Sequence, residues 1–226
     1  MNKEYYSVAL LLNGDPPSDL SVLKRFSYLA CADGAYNHIR GIIKPDVIIG
    51  DMDSIGDLPD DIECIKYPKD KDYTDGELAL KHLINLNPND IRIFGARGGK
   101  RADLEYYNYF LLTHGIDSLV QITMDLDNHQ GVVLLTKDNG MILQNPRANK
   151  ENPRLDGEGM KGEIISLSPF MGDVHIEYSR GLKYSLNDTI LKIGGIAPVS
   201  NVAIADQVEI TIKSGMALLF YNMSNR

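Results

Sequence analysis

Val47-Ile48-Ile49-Gly50-Asp51-Met52-Asp53-Ser54 reads as a short strand running directly into two carboxylates one residue apart. A strand that ends in acids delivers them to the rim of a sheet, where they can share a divalent cation. The plainer reading is a solvated turn whose side chains cap nearby amides, so the surroundings have to decide. Val8 to Leu12, Tyr28 to Ala32, Ile91 to Phe94 and Leu119 to Thr123 are further strand-like runs. Ser18 to Phe26, Ala35 to Gly41, Asp75 to Leu86 and Ala102 to His114 between them have helical spacing, the third with Leu78, Leu80, Leu83 and Ile84 toward a core. This alternation predicts a three-layer α/β domain, a parallel sheet wrapped by helices. In such sheets ligands bind beyond the carboxyl ends of the strands, where strand order reverses. Asp33 follows the second strand and Asp51 and Asp53 the third, which is where such a site is expected.

After about Asn128 the helical period fades. Val132 to Thr136, Met141 to Gln144, Glu163 to Ser168, Asp173 to Tyr178 and Val208 to Ile212 are short strands broken by Gly, Pro, Asn and Asp, the pattern of an all-β sandwich. Two domains are therefore expected, an α/β domain over 1–128 and a C-terminal β-sandwich over 129–226. Asn145 to Lys161, the most polar stretch, reads as an exposed loop.

Charge and cysteine content narrow the class. With 23 Lys and Arg against 31 Asp and Glu, the formal charge is −8, which disfavours non-specific attraction to nucleic acid or an anionic membrane. An acidic protein that handles phosphates needs a cation to mediate. Cys31 and Cys64 sit in apolar, strand-like segments without paired spacing, as expected of reduced thiols in the cytoplasm. The N-terminal apolar run stops at Asn13-Gly14-Asp15, too short to span a membrane and without a cleavage pattern. His38, His82, His114, His129 and His175 are scattered without metal-ligand spacing. The tyrosines Tyr106, Tyr107 and Tyr109 read as packing rather than as a base-stacking platform, since basic companions are lacking.

Two further clusters lie at strand-to-helix junctions. Lys69-Asp70-Lys71-Asp72-Tyr73-Thr74-Asp75-Gly76-Glu77 opens an amphipathic helix, with Thr74 or Asp75 as N-cap and Glu77 in the first turn. Gly95-Ala96-Arg97-Gly98-Gly99-Lys100-Arg101-Ala102-Asp103 allows backbone amides near a phosphate and places Lys100 or Arg101 to pair with its oxygens. It is neither a P-loop nor a clean dinucleotide fingerprint. Each cluster alone is weak, but three at successive strand ends point to one crevice.

Asp33-Gly34-Ala35-Tyr36-Asn37, Pro45-Asp46 through Gly50-Asp51-Met52-Asp53-Ser54, Asp72-Tyr73-Thr74-Asp75, and Arg101-Ala102-Asp103 with Asn108 resemble the ordered motifs of the thiamine pyrophosphokinase family. Ile165-Ser166-Leu167-Ser168-Pro169, Gly181-Leu182-Lys183-Tyr184, and Ser200-Asn201 followed by a strand are similar to that family's C-terminal sandwich. The resemblance implies thiamine diphosphokinase activity, the Mg²⁺-dependent transfer of a pyrophosphoryl group from ATP to the hydroxyl of thiamine, giving thiamine diphosphate and AMP. It also implies a nucleotide- and Mg²⁺-holding first domain, a thiamine-binding sandwich, and a homodimer with sites at the subunit interface.

Carried onto this chain, the resemblance makes Asp51, Asp53 and Asp75 the expected metal ligands, with the general base either Asp75 or Asp51. Arg101 is expected on phosphate oxygens, with Asp103 fixing that guanidinium or joining the metal network through water. Lys71 and Thr74 are placed for phosphate or ribose. Asp33, Asn37 and Asn108 are expected on nucleotide or substrate, and Ser200 and Asn201 are the expected thiamine anchors. Two departures stand out. The chain has no Trp and carries Ile204 where some relatives have a tryptophan soon after the Ser-Asn pair, and Leu104 stands where many relatives carry histidine. The competing readings are a pyrophosphokinase of another hydroxymethyl heterocycle, such as a pterin, and a non-catalytic nucleotide- or thiamine-binding regulator.

Overall fold

The structure, a computed structural model, describes residues 7–118, 120–126, 130–144, 163–196 and 198–222. The chain divides into two compact units, Met1–Asn128 and His129–Arg226. The expected loop Asn145 to Lys161 lies outside the described residues.

In the first unit, β1 (Ser7–Leu11), β2 (Tyr28–Ala32), β3 (Val47–Gly50), β4 (Glu63–Lys66), β5 (Asp90–Phe94) and β6 (Gln121–Asp125) form a parallel sheet ordered β6-β5-β1-β2-β3-β4. Successive residues of β1 and β2 are buried on both faces, which is why these strands read as unbroken apolar runs. One face packs Ala9, Leu11, Leu29, Cys31 and Ile48 with Leu23, Tyr36, Ile39 and Met52. On the sheet lies α2 (Asp75–Asn85), which contacts β1, β2 and β3 and buries Leu78, Ala79, Leu80 and Leu83.

The other expected helices are shorter than their spacing suggests. Ser18 to Phe26 is one stretch of 3-10 helix, Leu20–Arg25, whose amide at Ser21 donates to Asp19 and which buries only Leu23. Ala35 to Gly41 shrinks to α1 (Tyr36–Ile39) after a 3-10 turn. Ala102 to His114 divides into α3 (Ala102–Asn108), a 3-10 segment Tyr109–Thr113 and α4 (His114–Ser118). Aromatic side chains crowd this stretch, and they are poor at holding a regular helix.

The second unit has two antiparallel sheets. One is ordered β12 (Asn201–Val202), β9 (Ile164–Pro169), β14 (Ala217–Asn222), β7 (Gln130–Leu135). The other is ordered β11 (Thr189–Leu191), β10 (Val174–Arg180), β13 (Gln207–Ser214), β8 (Met141–Gln144). Val133, Leu167 and Leu219 from the first sheet and Ile176, Val208, Ile210 and Ile212 from the second share one core. The period-2 burial along β13, with Val208, Ile210 and Ile212 inward, is the sandwich signature. β14 is a continuous apolar run, Ala217–Tyr221, without that alternation, so it carries no such signal in the sequence.

Candidate active site

Parallel pairing of β2 and β3 aligns Ala32 with Ile49, so Asp33 and Gly50 emerge side by side at the carboxyl end of the sheet. Gly50 permits the close approach. A Cβ there would lie 2.6 Å from Asp33 Cβ and 3.0 Å from Asp75 Cγ. After Asp51 comes Met52, left-handed at φ 66° and buried against the first unit's core. This anchored reversal separates the two acids of the loop. Asp51 faces the carboxylate cluster, whereas Asp53 is half-exposed and paired with Lys69 at 2.8 Å.

The third acid arrives on α2. Thr74 is the N-cap, its hydroxyl accepting from the Glu77 amide (3.2 Å) while the Glu77 carboxylate accepts from the Thr74 amide (2.8 Å). That capping box sets Asp75 as the first helical residue. Carboxylate oxygens of Asp33, Asp51 and Asp75 then lie within 4.8 Å of one another. Lys71 Nζ stands among them, 2.9 Å from Asp75 Oδ1 and 3.8 Å from Asp51 Oδ2.

Burial pushes the Asp75 carboxyl above the usual carboxylate range; Lys71 pulls it down, but burial and the Asp33 and Asp51 charges prevail. Burial works against the Lys71 charge too, yet the hydrogen bond to Asp75 and the charges of Asp75, Asp51 and Asp33 hold it above the ordinary lysine value. Asp53, in solvent, is lowered by its hydrogen bonds from Lys69 and Ser54. Asp33 is only 6% exposed and its Oδ1 has no hydrogen-bond partner among the described residues. A buried carboxylate oxygen without a partner is costly. Hard oxygen donors at this spacing, with one ammonium among three carboxylates, fit a divalent ion such as Mg²⁺. The structure brings Asp33, Asp51 and Asp75 together, while Asp53, also expected on the metal, pairs with Lys69 outside this cluster. The signal for Asp33 was its position directly after the neighbouring strand; the register that puts it beside Gly50 is not readable from one sequence.

Strand order reverses between β1 and β5, one strand away from Asp33 and two from Asp51, rather than at the acids themselves. There the glycine-rich loop runs along the segment after β1, with the Gly14 amide donating to the Gly95 carbonyl and the Asp15 amide to the Arg97 carbonyl (2.9 and 2.7 Å). Gly95, at φ 66°, has no room for a Cβ, which would meet the Leu12 carbonyl oxygen at 2.3 Å. A cavity of about 280 Å³ opens beside it, lined by residues that include Asp15, Arg97, Gly98, Glu105 and Asp125. Its Gly98 amide already donates to the Glu105 carboxylate at 3.1 Å.

The remaining expected site residues divide between exposure and bracing. Arg101 and Asp103 are exposed and paired two-pronged, with Arg101 Nε on Asp103 Oδ1 at 2.8 Å, which draws the Asp103 carboxyl down to about 2. Asn37 donates to the Ser54 carbonyl and Asn108 to the Ala96 carbonyl, both at 2.8 Å. Asn201, 2% exposed, accepts from the Tyr184 and Val202 amides and donates to the Tyr184 carbonyl. Ser200, left-handed at φ 60°, donates its amide to Ser166 Oγ. The amides of Asn37, Asn108 and Asn201 therefore hold the acidic, glycine-rich and Tyr184 loops. The Tyr184 ring itself is exposed.

Fold and site together define a two-unit protein, a parallel α/β unit that clusters carboxylates at its strand ends, followed by an antiparallel sandwich. Residues 20–124 match the family model "Thiamin pyrophosphokinase, catalytic domain", and residues 150–217 match "Thiamin pyrophosphokinase, vitamin B1 binding domain". The chain belongs to the thiamin pyrophosphokinase family. It is similar to the thiamine pyrophosphokinase of Bacillus subtilis (30% identity over 159 residues, 68% of this chain and 64% of the relative). It is also similar to thiamin pyrophosphokinase 1 of Caenorhabditis elegans (26% over 230 residues, 95% of this chain and 88% of the relative). Its fold resembles the crystal structure of the Bacillus subtilis enzyme, with a TM-score of 0.77 at 23% identity over 96% of this chain and 99% of that one. The Candida albicans structure gives a TM-score of 0.76 at 18% identity, over 97% and 90%.

Proposed function

We propose that the protein transfers a pyrophosphoryl group from ATP to thiamine, yielding thiamine diphosphate and AMP. The observation that carries this reading is the Asp33, Asp51 and Asp75 cluster at the carboxyl end of the sheet, in a chain of this family. Asp33, Asp51 and Asp75 would hold Mg²⁺, which when bound supplies positive charge to the phosphates. Asp53, facing solvent beside Lys69, is then an outer contact of the same loop.

The chain's own groups would do the rest. The thiamine hydroxyl oxygen bonds to the β-phosphorus, the bond from that phosphorus to the α,β-bridging oxygen breaks, and AMP departs with that oxygen. The hydroxyl proton goes to a carboxylate. Asp75 or Asp51, whichever the ion leaves free to accept it, is placed for that task. Arg101 pairs with phosphate oxygens once it exchanges Asp103 for them, and Asp103 keeps the guanidinium oriented until then. Exposed Tyr184, its backbone held by Asn201, offers an aromatic face for the thiazolium in a chain without Trp, once the Lys183 ammonium, 5.4 Å from its ring, gives way.

The free thiols of Cys31 and Cys64 fit a reducing cytoplasm. No helix among the described residues is long and apolar enough to cross a membrane. Exposed Tyr106 and Tyr107, neighbours on α3 with ring centroids 5.9 Å apart, suit a homodimer face. With thiamine, ATP and Mg²⁺ the protein should release AMP and thiamine diphosphate, sediment as twice the chain mass, and lose turnover at least 100-fold in Asp51→Asn with its fold intact. Formation of ADP, or turnover of a hydroxymethylpterin but not thiamine, overturns the reading.

A further inference from the structure

Lys71 is tied to the carboxylate cluster more closely than a phosphate ligand waiting for its substrate would be. Its side chain is only 14% exposed, as is that of Asp51, and its ammonium lies 2.9 Å from Asp75 and 3.8 Å from Asp51. Asp33 Oδ1, in the same cluster, is buried and takes no hydrogen bond among the described residues. The group thus holds three carboxylates and one internal cation; the buried Asp33 Oδ1 is left without a donor, and the buried Asp75 Oδ1 has only the Lys71 ammonium beside it. Lys69, two residues earlier, is 78% exposed in its side chain and pairs with Asp53 outside the cluster.

We propose that Lys71 is the resident counter-ion of the Asp33, Asp51 and Asp75 site, an ammonium that a divalent ion must displace and that moves onto the nucleotide's phosphates when it is displaced. The inference rests on the metal-site reading above. An ammonium and a divalent ion cannot share these oxygens at close range, because like charges in a half-buried site repel strongly. A site occupied by its own lysine most of the time binds free metal more weakly by the fraction of time it is vacant. Displacement becomes favourable when the metal arrives with phosphates, since the ammonium then exchanges one set of anionic oxygens for another. Metal and nucleotide would accordingly load together, and free metal alone would load poorly.

Mn²⁺ binding, followed by loss of the free-ion paramagnetic resonance signal, tests this on the full chain. Without nucleotide, Lys71→Gln should bind Mn²⁺ about tenfold more tightly than wild type, and Lys71→Arg, which keeps the charge, should not. Adding the non-transferable α,β-methylene-ATP should tighten wild type and shrink or reverse the variant's advantage. Lys69→Gln removes an equal charge from Asp53, so an equal gain there would mean general electrostatics and overturn the proposal. Unchanged or weaker Mn²⁺ binding by Lys71→Gln, with circular dichroism showing a native fold, also overturns it. Should Mn²⁺ bind wild type and Asp51→Asn alike, the metal-site reading fails with it; a normal wild-type site that ignores Lys71 removes only this inference.

Discussion

Gly50 shows how much of the site depends on one absent methyl group. The β carbon of an alanine would fall 2.6 Å from Asp33 Cβ and 3.0 Å from the Asp75 carboxyl, both on secondary structure that cannot yield separately. Gly50→Ala should therefore destabilise the protein by about 1–3 kcal/mol, the usual range for overpacking, and lower kcat by more than tenfold. Thermal melting and steady-state AMP release measure the two effects. A variant with wild-type melting and full turnover would show that Asp33 and Asp75 need not stand this close. The acids were legible in the sequence because strand ends are, but which of them meet was not. Asp51 and Asp53 look equivalent one residue apart, and the left-handed turn at buried Met52 is what sends them to different surroundings. Motif position marks Asn37, Asn108 and Asn201 as ligand contacts, and the structure adds that their amides also hold loop carbonyls and amides. A single sequence does not distinguish an amide that touches a ligand from one that shapes the loop that does.

Among the elements, α2 was the most readable, since its apolar spacing, acidic first turn and Thr-x-x-Glu start all point the same way. Its cap also orients the site, because it fixes where Asp75 begins the helix. Thr74→Ala removes the acceptor for the Glu77 amide and should cost about 1 kcal/mol in denaturant unfolding, with a fall in kcat as Asp75 loses its fixed start. Thr74→Ser, which keeps the hydroxyl, should restore both. A stability loss with kcat unchanged would separate the cap from the chemistry. The less legible elements were those without a strong period of their own. β4, at the sheet edge, has exposed ends, and Ser18 to Phe26 makes only a 3-10 segment, anchored through Leu23. In both, packing against the rest of the unit decides the conformation, and propensity alone is a weak guide.

For the molecule as a whole, fold class was written in the change from helical to twofold periodicity, whereas strand order, the reversal between β1 and β5, and the central place of β14 came only with tertiary structure. Overall stability carries a pH signature as well. Burial lowers the proton affinity of His82, whose ring nitrogen lies 3.1 Å from the Tyr28 hydroxyl, against a smaller opposing pull from Glu63. Burial likewise lowers His114, partly offset by Glu77. Both folded-state values lie below the unfolded value of about 6.5, so the unfolded chain takes up these protons first. Their contribution is complete above about pH 6.5 and is lost as pH falls through the folded-state values. Melting temperature should drop from pH 7 to pH 5, and the double replacement His82→Gln, His114→Gln should flatten that drop. An equally steep profile in the variant would assign acid sensitivity to other groups.

The register that aligns Ala32 with Ile49 also sets a condition on folding. Asp33 and Asp51 leave neighbouring strands and Asp75 opens α2, so a one-residue slip between β2 and β3 would carry Asp33 out of step with Gly50 and Asp51. No peptide carrying a single acidic motif can assemble the proposed metal site, and in refolding, any metal affinity should appear only after these two strands have paired. Mn²⁺ capture is thus a clock for sheet completion.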